Sequence, residues 1–170
     1  MDGKLAVLNT LPREEAAAVL RGICGCGLWV EGMIACRPFE SAAVLLEAAE
    51  QQLGRLGQED WLEAFSHHPR IGERDLTVAR LGPGAAVAAK EQSGMAGASD
   101  AQRAEFARGN RLYEERFGHV FLICATGKSA GEMLAQLRER LGNDRATELQ
   151  NAAKQQRLIS RLRLERWLAS

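Results

Sequence analysis

Apolar residues recur at three- and four-residue spacing along nearly the whole chain, the pattern of helices that each bury one face. Pro12 suits the first turn of a helix running to about Cys24. A second short helix covers Leu28 to Ala35 and is interrupted before Pro38. A third runs from Ser41 to Leu56, with Leu45, Leu46, Ala49, Leu53 and Leu56 on one face. A fourth covers Glu59 to Phe65. Leu81-Gly82-Pro83-Gly84 is a breaker, and Pro83 can open a helix that runs through Gln92. Ser99 with Gln102, and Ser129 with Glu132, have the spacing of capping boxes. They predict helices ending near Phe117-Gly118 and Leu141-Gly142. Asn143 is placed to cap a last helix reaching about Trp167. Sustained alternation of apolar and polar residues, the strand signal, is missing. Phe121 to Ala125 is a short buried run that periodicity reads equally as an extended segment or a helical turn. The expected fold class is all-α: a single compact helical domain, residues 1–170, of about seven to eight helices.

The chain of 170 residues is long enough for one sizeable core. Lys plus Arg and Asp plus Glu both number 22, a balance that argues against a nucleic-acid binder. No apolar run approaches the roughly 20 residues needed to span a bilayer, so no membrane partner is expected. The first residues lack a signal-peptide core and the last three are not a peroxisomal Ser-Lys-Leu, so the expected location is cytoplasmic. Cys24, Cys26, Cys36 and Cys124 lack paired zinc-ligand spacing and are expected to be buried, reduced thiols, with no metal bound. A metal held by Cys24, Cys26 and a histidine is the alternative.

The richest stretch chemically is Phe65-Ser66-His67-His68-Pro69-Arg70-Ile71-Gly72-Glu73-Arg74, followed by Glu91-Gln92. Pro69 biases His68 toward extended backbone and places it on a loop or element end. Such an imidazole can serve as an acid/base group, or simply cap or pack. His67 would point elsewhere, and Glu73 and Arg74 suit a salt bridge or loop cap. In the last helix Ile159, Arg163 and Trp167 share one line. A guanidinium on an apolar stripe needs an anionic partner, either a protein carboxylate or a ligand carboxylate. Trp29, Trp61 and Trp167 suit a core or a subunit interface.

Taken together, His68-Pro69, Gly72-Glu73, Glu91-Gln92, Asn110, Tyr113, Arg116-Phe117-Gly118, Phe121 to Ala125, Gly127-Lys128, Arg140-Leu141, Asn143, Glu148, Ile159 and Leu162-Arg163-Leu164 resemble the decarboxylases of 2-oxo-4-hydroxy-4-carboxy-5-ureidoimidazoline (OHCU). The resemblance covers nearly the whole chain, and the histidine loop and Cys124-Ala125-Thr126-Gly127-Lys128 are most similar to bacterial members. It implies an all-helical homodimer that decarboxylates OHCU to S-allantoin in urate breakdown, without metal or organic cofactor. It further implies catalytic roles for His68, Glu91 and Arg163. Pro69, Gln92, Phe121, Ile123 and Ala125 would contact the substrate, with backbone groups near Ile123 facing its amides.

Two positions depart from the family pattern. Ala88 stands where some members have serine, and His119 where many have an aromatic residue. His119 reads as a surface or packing residue, with a site role as the alternative. The rival functions are a helical interaction module, a ureide hydrolase and a metal enzyme using the histidine pair.

Overall fold

The helical periodicity and both capping boxes are borne out in a computed structural model, which describes residues 2–73 and 85–170. Among the described residues there are nine α-helices and no strand. They are α1 (Asp2–Thr10), α2 (Arg13–Ile23), α3 (Gly27–Ala35), α4 (Ala42–Leu53), α5 (Gln58–Ser66), α6 (Ala85–Glu91), α7 (Asp100–Phe117), α8 (Ala130–Arg140) and α9 (Arg145–Ala169). A 3₁₀ turn, Ser93–Met95, follows α6. The breaker at Leu81 to Gly84, its Pro83, and Arg74 lie outside the described residues.

Both capping boxes form. Ser99 Oγ accepts from the Gln102 N–H while Gln102 reaches back to the Ser99 N–H, and Ser129 and Glu132 repeat the arrangement. Each pair satisfies two backbone donors that a helix start leaves open. The main differences from the sequence reading are at α4, which ends at Leu53 and not Leu56, at the N-terminus and at the start of α9. α1 has no counterpart in the sequence reading, because it carries no cap signal and, among its residues of described burial, buries just Leu5 and Leu8. The cap of α9 is Asp144, whose Oδ1 accepts from the Thr147 N–H at 2.8 Å; Asn143 instead donates to Glu148 Oε2 at 2.8 Å.

The chain divides into two units. The first holds residues 1–64 and 157–170. Its core includes Leu8, Leu20, Trp29, Met33, Leu45 and Leu53, all buried. Trp29 Nε1 donates to the Ala49 carbonyl at 3.1 Å, so the largest side chain is both packed and satisfied. The turn after α3 contains a cis Arg37–Pro38 bond, and Arg37 donates to the carbonyls of Leu8 and Leu11.

The second unit holds residues 65–156. Its core gathers Ile71, Met95, Phe106, Tyr113, Phe117, Phe121, Ile123, Met133 and Leu137. The described cysteines are all free thiols; Cys24, Cys26 and Cys124 are buried, but Cys36 is exposed, contrary to expectation. It sits just past the end of α3, where the chain turns out to solvent. Burial pushes the Cys24 thiol up to about 11. No described helix is long and apolar enough to cross a membrane.

Candidate active site

His68 follows the end of α5, where Pro69 prevents the helix from continuing. The ring is buried, and its Nε2 lies 2.7 Å from Gln156 Oε1 on α9. Among the described residues of the loop beyond it, side chains meet several of the backbone groups. Gln92 Oε1 accepts from the Gly72 N–H at 3.0 Å, and Gln92 Nε2 donates to the Arg70 carbonyl at 3.3 Å. Asn110 Nδ2 donates to the Ile71 carbonyl at 2.9 Å. Arg70 makes a two-toothed pair with Glu114, both contacts at 2.6 Å. Gly72 has φ +80°, a conformation that side chains with a Cβ rarely adopt. His67 is exposed, as an adjacent residue on such a turn should be.

Glu91 ends α6 and is half-buried, while Gln92 is buried. The loop-binding carboxamide is therefore fixed within one residue of the candidate acid. Gly94 keeps this corner close to the next segment: a Cβ there would run into the Lys128 carbonyl oxygen. Ala88, the departure from the family serine, is buried.

Phe121 to Ala125 is the extended alternative of the two readings. All five residues are buried, yet they belong to no helix or strand. Side chains again supply the missing partners. Arg140 Nη1 donates to the Leu122 carbonyl at 2.7 Å. Gln155 Oε1 accepts from the Cys124 N–H, and Lys128 Nζ donates to the Cys124 carbonyl, both at 2.9 Å. Arg140 is in turn paired with Glu148, its Nε 2.7 Å from Oε1. Tyr113 donates its hydroxyl proton to the same oxygen. Burial alone would raise the Glu148 carboxyl, but hydrogen bonds from Arg140, Tyr113 and Asn143 outweigh it and hold the pKa below the usual carboxylate value. Burial also pushes the Tyr113 hydroxyl well up.

His119 stacks among Phe65, Tyr113 and Phe117, with ring centroids at 5.1, 5.5 and 6.4 Å. Burial holds its pKa below the ordinary value, as suits a packing residue. Arg163 lies in the first unit, half-buried, and its Nη1 donates to the Ile23 carbonyl at 3.3 Å. His68, Pro69, Glu91, Gln92, Phe121, Ile123 and Ala125 all lie in the second unit. The sequence reading missed Gln155 and Gln156. The available signal was polarity out of place: Gln156 is four residues from Ala152 and three from Ile159, on the buried face of α9.

The OHCU decarboxylase family profile matches residues 9–165. The chain belongs to the OHCU decarboxylase family. It is 33% identical over 165 residues to the 2-oxo-4-hydroxy-4-carboxy-5-ureidoimidazoline decarboxylase of Amia calva, covering 93% of this chain and 90% of that protein. It is also 33% identical over 141 residues to the uric acid degradation bifunctional protein TTL of Arabidopsis thaliana. That alignment covers 83% of this chain but 44% of the plant protein, so the chain spans less than half of that relative. A crystal structure of an OHCU decarboxylase in the presence of (S)-allantoin superimposes with a TM-score of 0.76 at 29% identity, covering 88% of this chain and 96% of the other.

Proposed function

We propose that this protein decarboxylates OHCU to S-allantoin, with His68, Glu91 and Arg163 as catalytic residues and Pro69, Gln92, Phe121, Ile123 and Ala125 as substrate contacts. The observation that carries the reading is the buried His68, held on a loop whose backbone is clamped by the residue next to Glu91. The family membership supplies the substrate class. The chain acts as one catalytic domain, in a cytoplasmic homodimer of the bacterial type, on a small-molecule substrate.

The substrate supplies its own electron sink. As CO₂ leaves C4, the electron pair of the broken bond forms a C4–C5 double bond. The pair of the adjacent carbon–nitrogen double bond moves to the ring nitrogen, which takes a proton. The C4 hydroxyl then gives up its proton as the carbonyl forms, and C5 takes a proton on one face. No further electron carrier is needed, so the reaction runs without metal or organic cofactor. His68 moves the proton between the C4 hydroxyl and the reacting carbon. Glu91 holds the hydroxyl and a ring N–H. A carboxamide has two N–H donors and an oxygen that accepts twice, so Gln92 can serve both the loop and the substrate amides. Arg163 orients the ring and opposes the charge that develops on it. Clamping the departing carboxylate would stabilise the ground state and gain no rate.

The test generates OHCU in place from urate with urate oxidase and hydroxyisourate hydrolase, then follows CO₂ release and optical rotation. Both signals should accelerate, and one enantiomer should dominate. His68→Ala should lower kcat by roughly 10²- to 10⁴-fold, the usual worth of a positioned acid/base group. Substrate loss without CO₂ would instead assign a hydrolase, and unchanged stereoselective turnover in His68→Ala would remove the histidine from the chemistry.

A further inference from the structure

Gln156 is fully buried, between Ala152 and Ser160 on the inner face of α9, and both of those neighbours are buried as well. It lies near the middle of a 25-residue helix, far from fraying ends. Its Oε1 meets His68 Nε2 at 2.7 Å, a full-strength hydrogen bond. A carbonyl oxygen only accepts, so the nitrogen that meets it carries the proton. A neutral imidazole has one N–H, and with that proton at Nε2 the basic lone pair is at Nδ1. The preceding residue does parallel work: Gln155 Oε1 accepts from the Cys124 N–H of the extended segment. One turn of α9 thus grips both the histidine and the buried Phe121 to Ala125 segment.

We propose that Gln156 is a positioning residue that fixes His68 as the Nε2–H tautomer, so that Nδ1 is the nitrogen that takes and returns the proton. The role of Nδ1 rests on the decarboxylase reading above; the tautomer does not. A carboxamide suits this task because it holds the ring without adding charge to a buried site. It leaves the imidazole free to alternate between neutral and protonated forms during turnover.

The test reads the ring directly, by NMR of protein labelled with ¹⁵N-histidine, with the His68 signals assigned through their loss in His68→Gln. In the wild type at alkaline pH, His68 should be the Nε2–H form. Gln156→Leu should give a mixture of tautomers and lower kcat by roughly 10²-fold, the scale of a misplaced catalytic group, while KM stays nearly unchanged. Gln156→Glu keeps an oxygen in place and should restore the Nε2–H form. An Nδ1–H ring in the wild type overturns the proposal, whether or not the variants fold. A folded Gln156→Leu with wild-type kcat also overturns it. The tautomer is measured without substrate, so an Nε2–H ring in a protein that releases no CO₂ would sink the decarboxylase reading and leave the tautomer assignment standing.

Discussion

The histidine loop and the Phe121 to Ala125 segment face the same physical problem and solve it differently. Neither has a regular ladder of backbone hydrogen bonds, so each borrows partners from side chains. The loop borrows from Gln92 and Asn110 and ends in an ion pair whose members, Arg70 and Glu114, are 47% and 24% exposed. The segment borrows from Arg140, whose pair with Glu148 is 8% and 0% exposed. A pair in water is worth little and can reform, whereas a buried pair is costly to break. The histidine proposed as the acid/base group therefore sits on a loop with an adjustable ion pair, while the segment proposed to contact the substrate is locked into the core.

Breaking the buried side should show the largest effect. Arg140→Met leaves the Glu148 carboxylate buried without its cation, which should cost about 3–5 kcal/mol in urea unfolding. The same pair sets an acid dependence. A carboxyl with its folded pKa below the ordinary 4.5 contributes stability that is fully present above that value and lost as pH falls through the lower folded value. Arg140→Met should flatten this part of the stability–pH curve; an unchanged curve would show that the pair is not its source.

An intermediate effect is expected where the turn after Gln92 meets the chain just beyond the segment. Gly94→Ala drives a Cβ into the Lys128 carbonyl and should cost about 1–3 kcal/mol, as overpacking does. Because the strain falls beside Gln92, activity should drop with stability. A thermally unaltered, fully active variant would mean that the backbone yields there freely. The smallest effect belongs to the exposed pair: Arg70→Ala should cost under about 1 kcal/mol and be nearly abolished as a difference at high salt. A loss as large as that of Arg140→Met would erase the contrast between the two supports.

Local rules wrote most of the helices into the chain. Ser99/Gln102 and Ser129/Glu132 are legible because a cap needs only residues three apart. α1 was hidden because two buried leucines in nine residues leave no clear stripe. Asn143 and Asp144 are both good caps, and the choice between them depends on Glu148, which draws the Asn143 amide away. The same limit governs the site. His68 announces itself through Pro69, and Glu91-Gln92 through family spacing. Gln156 reaches His68 across 88 positions, and no local pattern records a bond of that separation. Arg140 likewise reveals its task only once Leu122 lies beside it.

The extended segment has one more consequence. Val120-Phe121-Leu122-Ile123-Cys124 is an uncharged, partly β-branched stretch outside any sheet, the composition that pairs readily with copies of itself once its backbone is uncovered. Arg140, Gln155 and Lys128 cover its backbone with single, non-repeating contacts that another strand cannot copy. The contacts that hold the segment in the core thus also serve as a guard against self-association, and chains that lose them should be found in the pellet before they are found inactive in solution.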